Sequence, residues 1–97
     1  MEPEANGART TRPGSFSVLV VDDEDSTRNL CAHIVEEAGL EAHSAATTEQ
    51  ALALLDQSPV DILITDLKVP QLGGLELLKQ VGASYPHIAV IVLTQYG

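Results

Sequence analysis

The chain has 97 residues, 44% of them hydrophobic and only 3% aromatic, which suits one compact core of Leu, Val, Ile and Ala. Five Lys and Arg against 14 Asp and Glu give a formal charge of −9, which excludes the broad basic footprint that a phosphate backbone needs. The lone Cys31 excludes an internal disulfide or Cys-based zinc site, no apolar run would cross a bilayer, and the Met-Glu-Pro-Glu start is not a secretory signal; no membrane contact and a reducing, cytoplasmic compartment are expected.

Residues 1–15 hold two acids, two bases and, beyond Met1, no aliphatic side chain larger than Ala. They cannot bury enough surface to offset ordering, so a disordered lead-in is expected. The other 82 residues carry 12 acids against three bases, hence the whole net charge. Phe16-Ser-Val-Leu-Val-Val21 is a continuous apolar run of strand length, which suggests burial on both faces and a parallel sheet. Ser26 to Ala38 reads as a helix, capped by Asp25 or Ser26, with Leu30, Ile34 and Ala38 on one stripe and Gly39 at the stop. Glu41 to Ala46 is a second strand. Thr47-Thr-Glu-Gln50 resembles a capping box before Ala51, Leu52 and Leu55, and Ser58-Pro59 breaks that helix.

Asp61-Ile-Leu-Ile-Thr-Asp66 is the next strong strand and, like the first, it runs into an acid. A loop with Pro70 follows. Gly74 to Val81 reads as a third helix with Leu75 and Leu78 on one face, closed by Gly82 to Pro86, and His87 to Thr94 is an apolar fourth strand. The order βαβαβαβ with short connections predicts an α/β fold with an open, doubly wound parallel sheet.

In such sheets the reactive site lies at the carboxyl ends of the strands. Those ends carry Asp22 and Asp23, Asp66, and Thr94. Two carboxylates about 4 Å apart repel by roughly 4 kcal/mol at an effective dielectric near 20, so a cluster of three calls for a cation. Hard oxygen ligands with open positions suit Mg²⁺ and phosphoryl chemistry, with one Asp as nucleophile. Other polar residues have plainer readings. Asp25 fits a helix cap, and Glu36, Glu37, Glu41, Glu49 and Glu76 fit a solvated surface. His33, His43 and His87 lack ligand spacing, Cys31 fits a small core residue, and Lys68 fits a phosphate contact or an ordinary loop lysine.

Val18-Leu-Val-Val-Asp-Asp-Glu-Asp25, Asp61-Ile-Leu-Ile-Thr-Asp-Leu-Lys-Val-Pro-Gln-Leu-Gly-Gly-Leu-Glu-Leu77 and Val90-Ile-Val-Leu-Thr94 together resemble the receiver domain of bacterial two-component response regulators. The resemblance covers residues 16–97 and implies a flavodoxin-like fold with strand order 2-1-3-4-5. It implies phosphorelay signalling, with Asp66 as the phospho-acceptor rather than a turnover active site. Asp23 would be a direct Mg²⁺ ligand, Asp22 one acting through water, and the backbone carbonyl of Lys68 a further ligand. Thr94 would be the switch hydroxyl, while Pro70 and Gly74 shape the acceptor loop. The implied partners are a sensor histidine kinase and an output domain outside this chain, here of a transcription regulator, with no nucleic-acid contact by this domain and a homodimer left open.

Two features depart from the family pattern. Gly73 replaces a residue that is often polar, and the fifth strand with its lysine, together with the last helices, is missing. The expectation is therefore strand order 2-1-3-4 in an incomplete domain, a fragment of a longer regulator. Two other readings stay open: a haloacid-dehalogenase-type phosphatase, because Asp23-Glu-Asp25-Ser-Thr27 fits D-x-D-x-T, and a receiver-like module that binds partners without phosphorylation.

Overall fold

The computed structural model describes residues 16–66 and 73–93; the expected lead-in over 1–15, and Lys68, Pro70 and Thr94, lie outside the described residues. Four parallel strands and three helices alternate along the chain: β1 (Ser17–Val21), α1 (Asp25–Glu37), β2 (Glu41–Ala45), α2 (Thr48–Gln57), β3 (Ile62–Asp66), α3 (Gly73–Ser84) and β4 (Ala89–Leu93). The sheet order is β2-β1-β3-β4. From β1 the chain steps to one side to make β2, then returns across β1 to make β3. That reversal creates a switch point between the ends of β1 and β3.

The central strand explains the layering. All five β1 residues are buried, as a run apolar on both faces requires. Leu19 and Val21 point into one core with Ala51 and Leu55 of α2 and Leu77 and Val81 of α3. Val18 and Val20 point the other way, against Val35 and Cys31 of α1. Alternate residues of one strand thus serve two helix layers, which is the doubly wound arrangement read from the sequence. Asp61 accepts a hydrogen bond from the Ser17 N–H (2.8 Å) and fixes the start of β1 against that of β3.

Both termini of α1 follow local rules, with one difference from expectation. Asp25 opens the helix rather than capping it; the N-cap is Glu24, whose side chain makes no capping bond. At the other end Gly39 adopts φ 87°, its N–H donates to Glu36 (3.0 Å), and Leu40 N–H donates to Val35 (3.2 Å). This is a Schellman motif, and it drops Leu40 onto the Val18–Val20–Val35 core. Thr47 caps α2 by accepting from Gln50 N–H (3.1 Å), while the Gln50 amide oxygen accepts from Ala46 N–H (2.8 Å), one residue earlier than in a regular capping box.

Two expected helix faces are rotated. Leu30 and Ile34 are 59% and 57% exposed, and Ala38 lies beyond the helix; Cys31 and Val35 face the sheet instead. In α3, Leu75 is exposed while Leu77 and Val81 are buried. Both sequences offer two apolar stripes roughly 100° apart, and the helix takes the one that meets the strand. α3 also runs three residues beyond its expected end, through Gly82, where a Cβ would meet nothing within 4 Å. Pro86 sets the stop by disfavouring helical backbone before it. The turn closed by Ile88 N–H to Tyr85 (3.1 Å) keeps His87 out of β4. Among the described residues β4 is an edge strand, with Val90, Ile91 and Val92 exposed.

Candidate functional site

The β1 and β3 ends bring three carboxylates together. One ligand oxygen each from Asp22, Asp23 and Asp66 lies within 4.8 Å of the others. Asp22 directly follows β1 and Asp66 ends β3, so strand pairing itself sets their approach. Asp22 is 2% and Asp66 4% exposed, while Asp23 turns to solvent. The group is therefore open on one side and walled on the other.

Asp22 is held from several directions. Its N–H donates to Ala45 (3.1 Å) at the end of β2, and its Oδ1 accepts from the Glu24 N–H (2.9 Å), closing the β1–α1 turn. Its Oδ2 is buried without a hydrogen-bond partner among the described residues. Burial pushes the Asp22 carboxyl above the ordinary carboxylate range; the Glu24 hydrogen bond opposes that, and the neighbouring Asp66, Asp23 and Glu24 add to it. A buried carboxylate with one unpartnered oxygen, which brings an oxygen within 4.8 Å of two further carboxylates, is a donor set for a hard divalent cation. The residues present therefore fit Mg²⁺, with Asp22, Asp23 and Asp66 as side-chain donors.

The sequence-expected residues divide cleanly. Asp22, Asp23 and Asp66 converge. Asp25 does not: it pairs with Arg28 in the first turn of α1, and Thr27 donates to Glu24 (3.1 Å). The D-x-D-x-T reading, which needs Asp23 and Asp25 at one centre, is not what the turn assembles. Lys68 and Thr94 lie outside the described residues. His33 pairs with Glu37 (3.4 Å) and His43 with Glu41 (3.3 Å), away from the carboxylate group. One residue near the site was not singled out from the sequence. Arg28 donates through Nη1 to the Asp22 carbonyl (2.9 Å), a contact that only the folded turn reveals.

Comparison with known proteins agrees with this geometry. Residues 18–97 match the response regulator receiver domain family. The transcriptional regulatory protein FixJ of Azorhizobium caulinodans is 40% identical over 88 residues, which are 88% of this chain and 40% of FixJ. The chemotaxis response regulator CheY4 of Vibrio cholerae superposes with a TM-score of 0.81 at 32% identity, covering 84% of this chain and 70% of that one. The response regulator TrrA of Thermotoga maritima, solved in complex with Mg²⁺ and BeF, gives a TM-score of 0.79 at 32% identity over 84% of this chain and 71% of that one. The chain thus spans about two fifths of the length of its curated relative FixJ. Among the described residues no helix is long and apolar enough to cross a membrane. With the motifs in order, the sheet in the flavodoxin-like order and the carboxylates at its switch point, the chain belongs to the response regulator receiver domain family.

Proposed function

We propose that this domain accepts a phosphoryl group on Asp66 from a sensor histidine kinase and signals through Thr94. The convergence of Asp22, Asp23 and Asp66 within 4.8 Å at the β1/β3 switch point carries the reading. An Asp66 carboxylate oxygen attacks phosphorus in line, the bond from phosphorus to the donor's imidazole nitrogen breaks, and the imidazole leaves to take up a proton from solvent. The product is an acyl phosphate on Asp66. Asp22, Asp23, Asp66 and the Lys68 carbonyl would hold Mg²⁺, which when bound would supply positive charge to neutralise the transferred oxygens. Asp66 is buried on the side facing the core, which supports approach of the donor from the open side of the group.

Thr94 follows β4, whose Leu93 pairs in register with Asp66. A hydroxyl at that strand end reads the new phosphoryl oxygens, and its movement alters the adjoining surface. The match to only 40% of FixJ, a transcriptional regulatory protein, supports a separate output domain and transcription regulation as its output. Residues 1–15 are read as a lead-in to the domain.

The test is phosphorylation of the full-length protein by a cognate kinase or acetyl phosphate with Mg²⁺. Wild type should gain one hydroxylamine-labile phosphate, Asp66→Asn none, and Thr94→Ala should keep phosphorylation while losing the phosphorylation-dependent change in partner binding. Labelling of Asp66→Asn at the wild-type yield would overturn the acceptor assignment. No labelling of wild type from any donor would favour a module that works without phosphorylation.

A further inference from the structure

Arg28 stands out among the charged groups of the fold. Among the described residues only Arg28 and Lys79 carry a permanent positive charge, in a chain of net charge −9. The Arg28 side chain is only 16% exposed and sits beside the most acidic part of the molecule. The direction of its hydrogen bonds is the informative feature. Nη1 donates to the Asp22 carbonyl (2.9 Å), and Nη2 pairs with the Asp25 carboxylate. Neither bond goes to the Asp22 carboxylate, whose Oδ2 has no partner among the described residues and whose Oδ1 takes the Glu24 N–H.

We infer that Arg28 is a positioning residue for the cation site, clamping the peptide between Asp22 and Asp23 against the first turn of α1. This rests on the Mg²⁺ site proposed above. The Asp22 carbonyl belongs to the peptide plane that joins the two carboxylate residues, so holding it fixes how both side chains leave the backbone. The planar fork suits this work, because it reaches a carbonyl and a carboxylate at once with little freedom left to lose. Its position also matters: a guanidinium on the Asp22 or Asp23 carboxylate would compete with a divalent ion for the same oxygens. Directed at the carbonyl, it orders the turn and leaves the Asp22 Oδ2 available.

The experiment uses the full chain with Mg²⁺ alone as the probe. Affinity is read by calorimetry, and hydrogen exchange is read at the amides of Glu24, Leu19 and Val21. Arg28→Gln should weaken Mg²⁺ binding about tenfold, the low end for loss of an outer-sphere partner. The Glu24 amide, which bonds Asp22 Oδ1, should lose protection while Leu19 and Val21 in β1 keep theirs. Asp25→Asn, which spares the bond to the Asp22 carbonyl, should stay within twofold of wild type. Unchanged affinity in Arg28→Gln, or an equal loss in Asp25→Asn, overturns the role. If Arg28→Gln also loses protection in β1, Arg28→Lys carries the test. That variant keeps a cationic donor without the fork, so a several-fold loss with β1 protected is expected, and wild-type affinity overturns the role. A wild type that binds no Mg²⁺ would instead overturn the site reading itself.

Discussion

Replacing Asp22 by Asn is expected to make the metal-free protein more stable by about 2.5 kcal/mol, while removing most of its stabilisation by Mg²⁺. Asp22 and Asp66 are both buried, with ligand oxygens no more than 4.8 Å apart. Two unit charges at about that separation repel by roughly 3.5 kcal/mol at an effective dielectric near 20. Asn removes this repulsion and keeps an oxygen for the Glu24 N–H, though a neutral acceptor holds that donor less well by about 1 kcal/mol. The difference is worth about 10 °C in melting temperature for a domain of this size. The sign of the pH dependence follows from the direction of the Asp22 shift. Its carboxyl is raised by burial, so the folded state binds this proton more tightly than the unfolded state does. The penalty on wild type is therefore full above the raised value, shrinks as pH falls through it, and is gone below about 3.9, the ordinary Asp value. Circular-dichroism melts in EDTA and in saturating Mg²⁺, at neutral and acidic pH, measure all of this. An Asn variant that melts at or below wild type in EDTA at neutral pH refutes the reasoning.

Local signals make sharper, smaller predictions. Thr47→Ala removes the acceptor for the Gln50 N–H and should cost about 1 kcal/mol, read as a lower urea midpoint at unchanged slope. Gly39→Ala must adopt φ 87° and should cost about 1–2 kcal/mol in the same assay. Gly82→Ala should instead stabilise by about 0.5–1 kcal/mol, because Gly82 lies inside α3 with nothing within 4 Å of an added Cβ. Effects of equal sign at the two glycines would show that backbone conformation does not set their roles.

Most of the fold was legible because its signals are local and strong. A five-residue strand buried on both faces, with four apolar residues from Val18 to Val21 after Ser17, can only be central. Gly39 and Thr47 mark helix ends through backbone rules that need no tertiary knowledge. The carboxylates were legible for a similar reason: acids that directly follow buried strands land at one sheet edge whenever the strands are parallel neighbours. Helix rotation was not legible in the same way. α1 offers Leu30 and Ile34 as readily as Cys31 and Val35, and only contact with Val18 and Val20 decides between them. α3 likewise runs on through Gly82, since a glycine breaks a helix only when nothing downstream stops it better, and here Pro86 does. Arg28 was not legible because its contact is with a carbonyl six residues earlier, which spacing alone does not bring near.

The placement of the site has a physical consequence for how such a domain responds. β1 is the most completely buried element and is paired on both sides, so it has no freedom to follow a change of charge at its end. The acidic group therefore opposes the fold at a point where the backbone cannot relax to relieve it. Its relief must come from what binds there, and anything bound only by the folded state returns its binding free energy as stability. The turn from Asp22 to Glu24 is set by the Glu24 N–H on an Asp22 side-chain oxygen, by Arg28 on the Asp22 carbonyl, and by the Arg28 N–H and Thr27 hydroxyl on Glu24. A strand paired on both sides thus fixes where the carboxylates stand, while the hydrogen-bonded turn that follows it, with Arg28 on the Asp22 carbonyl, sets how they are presented.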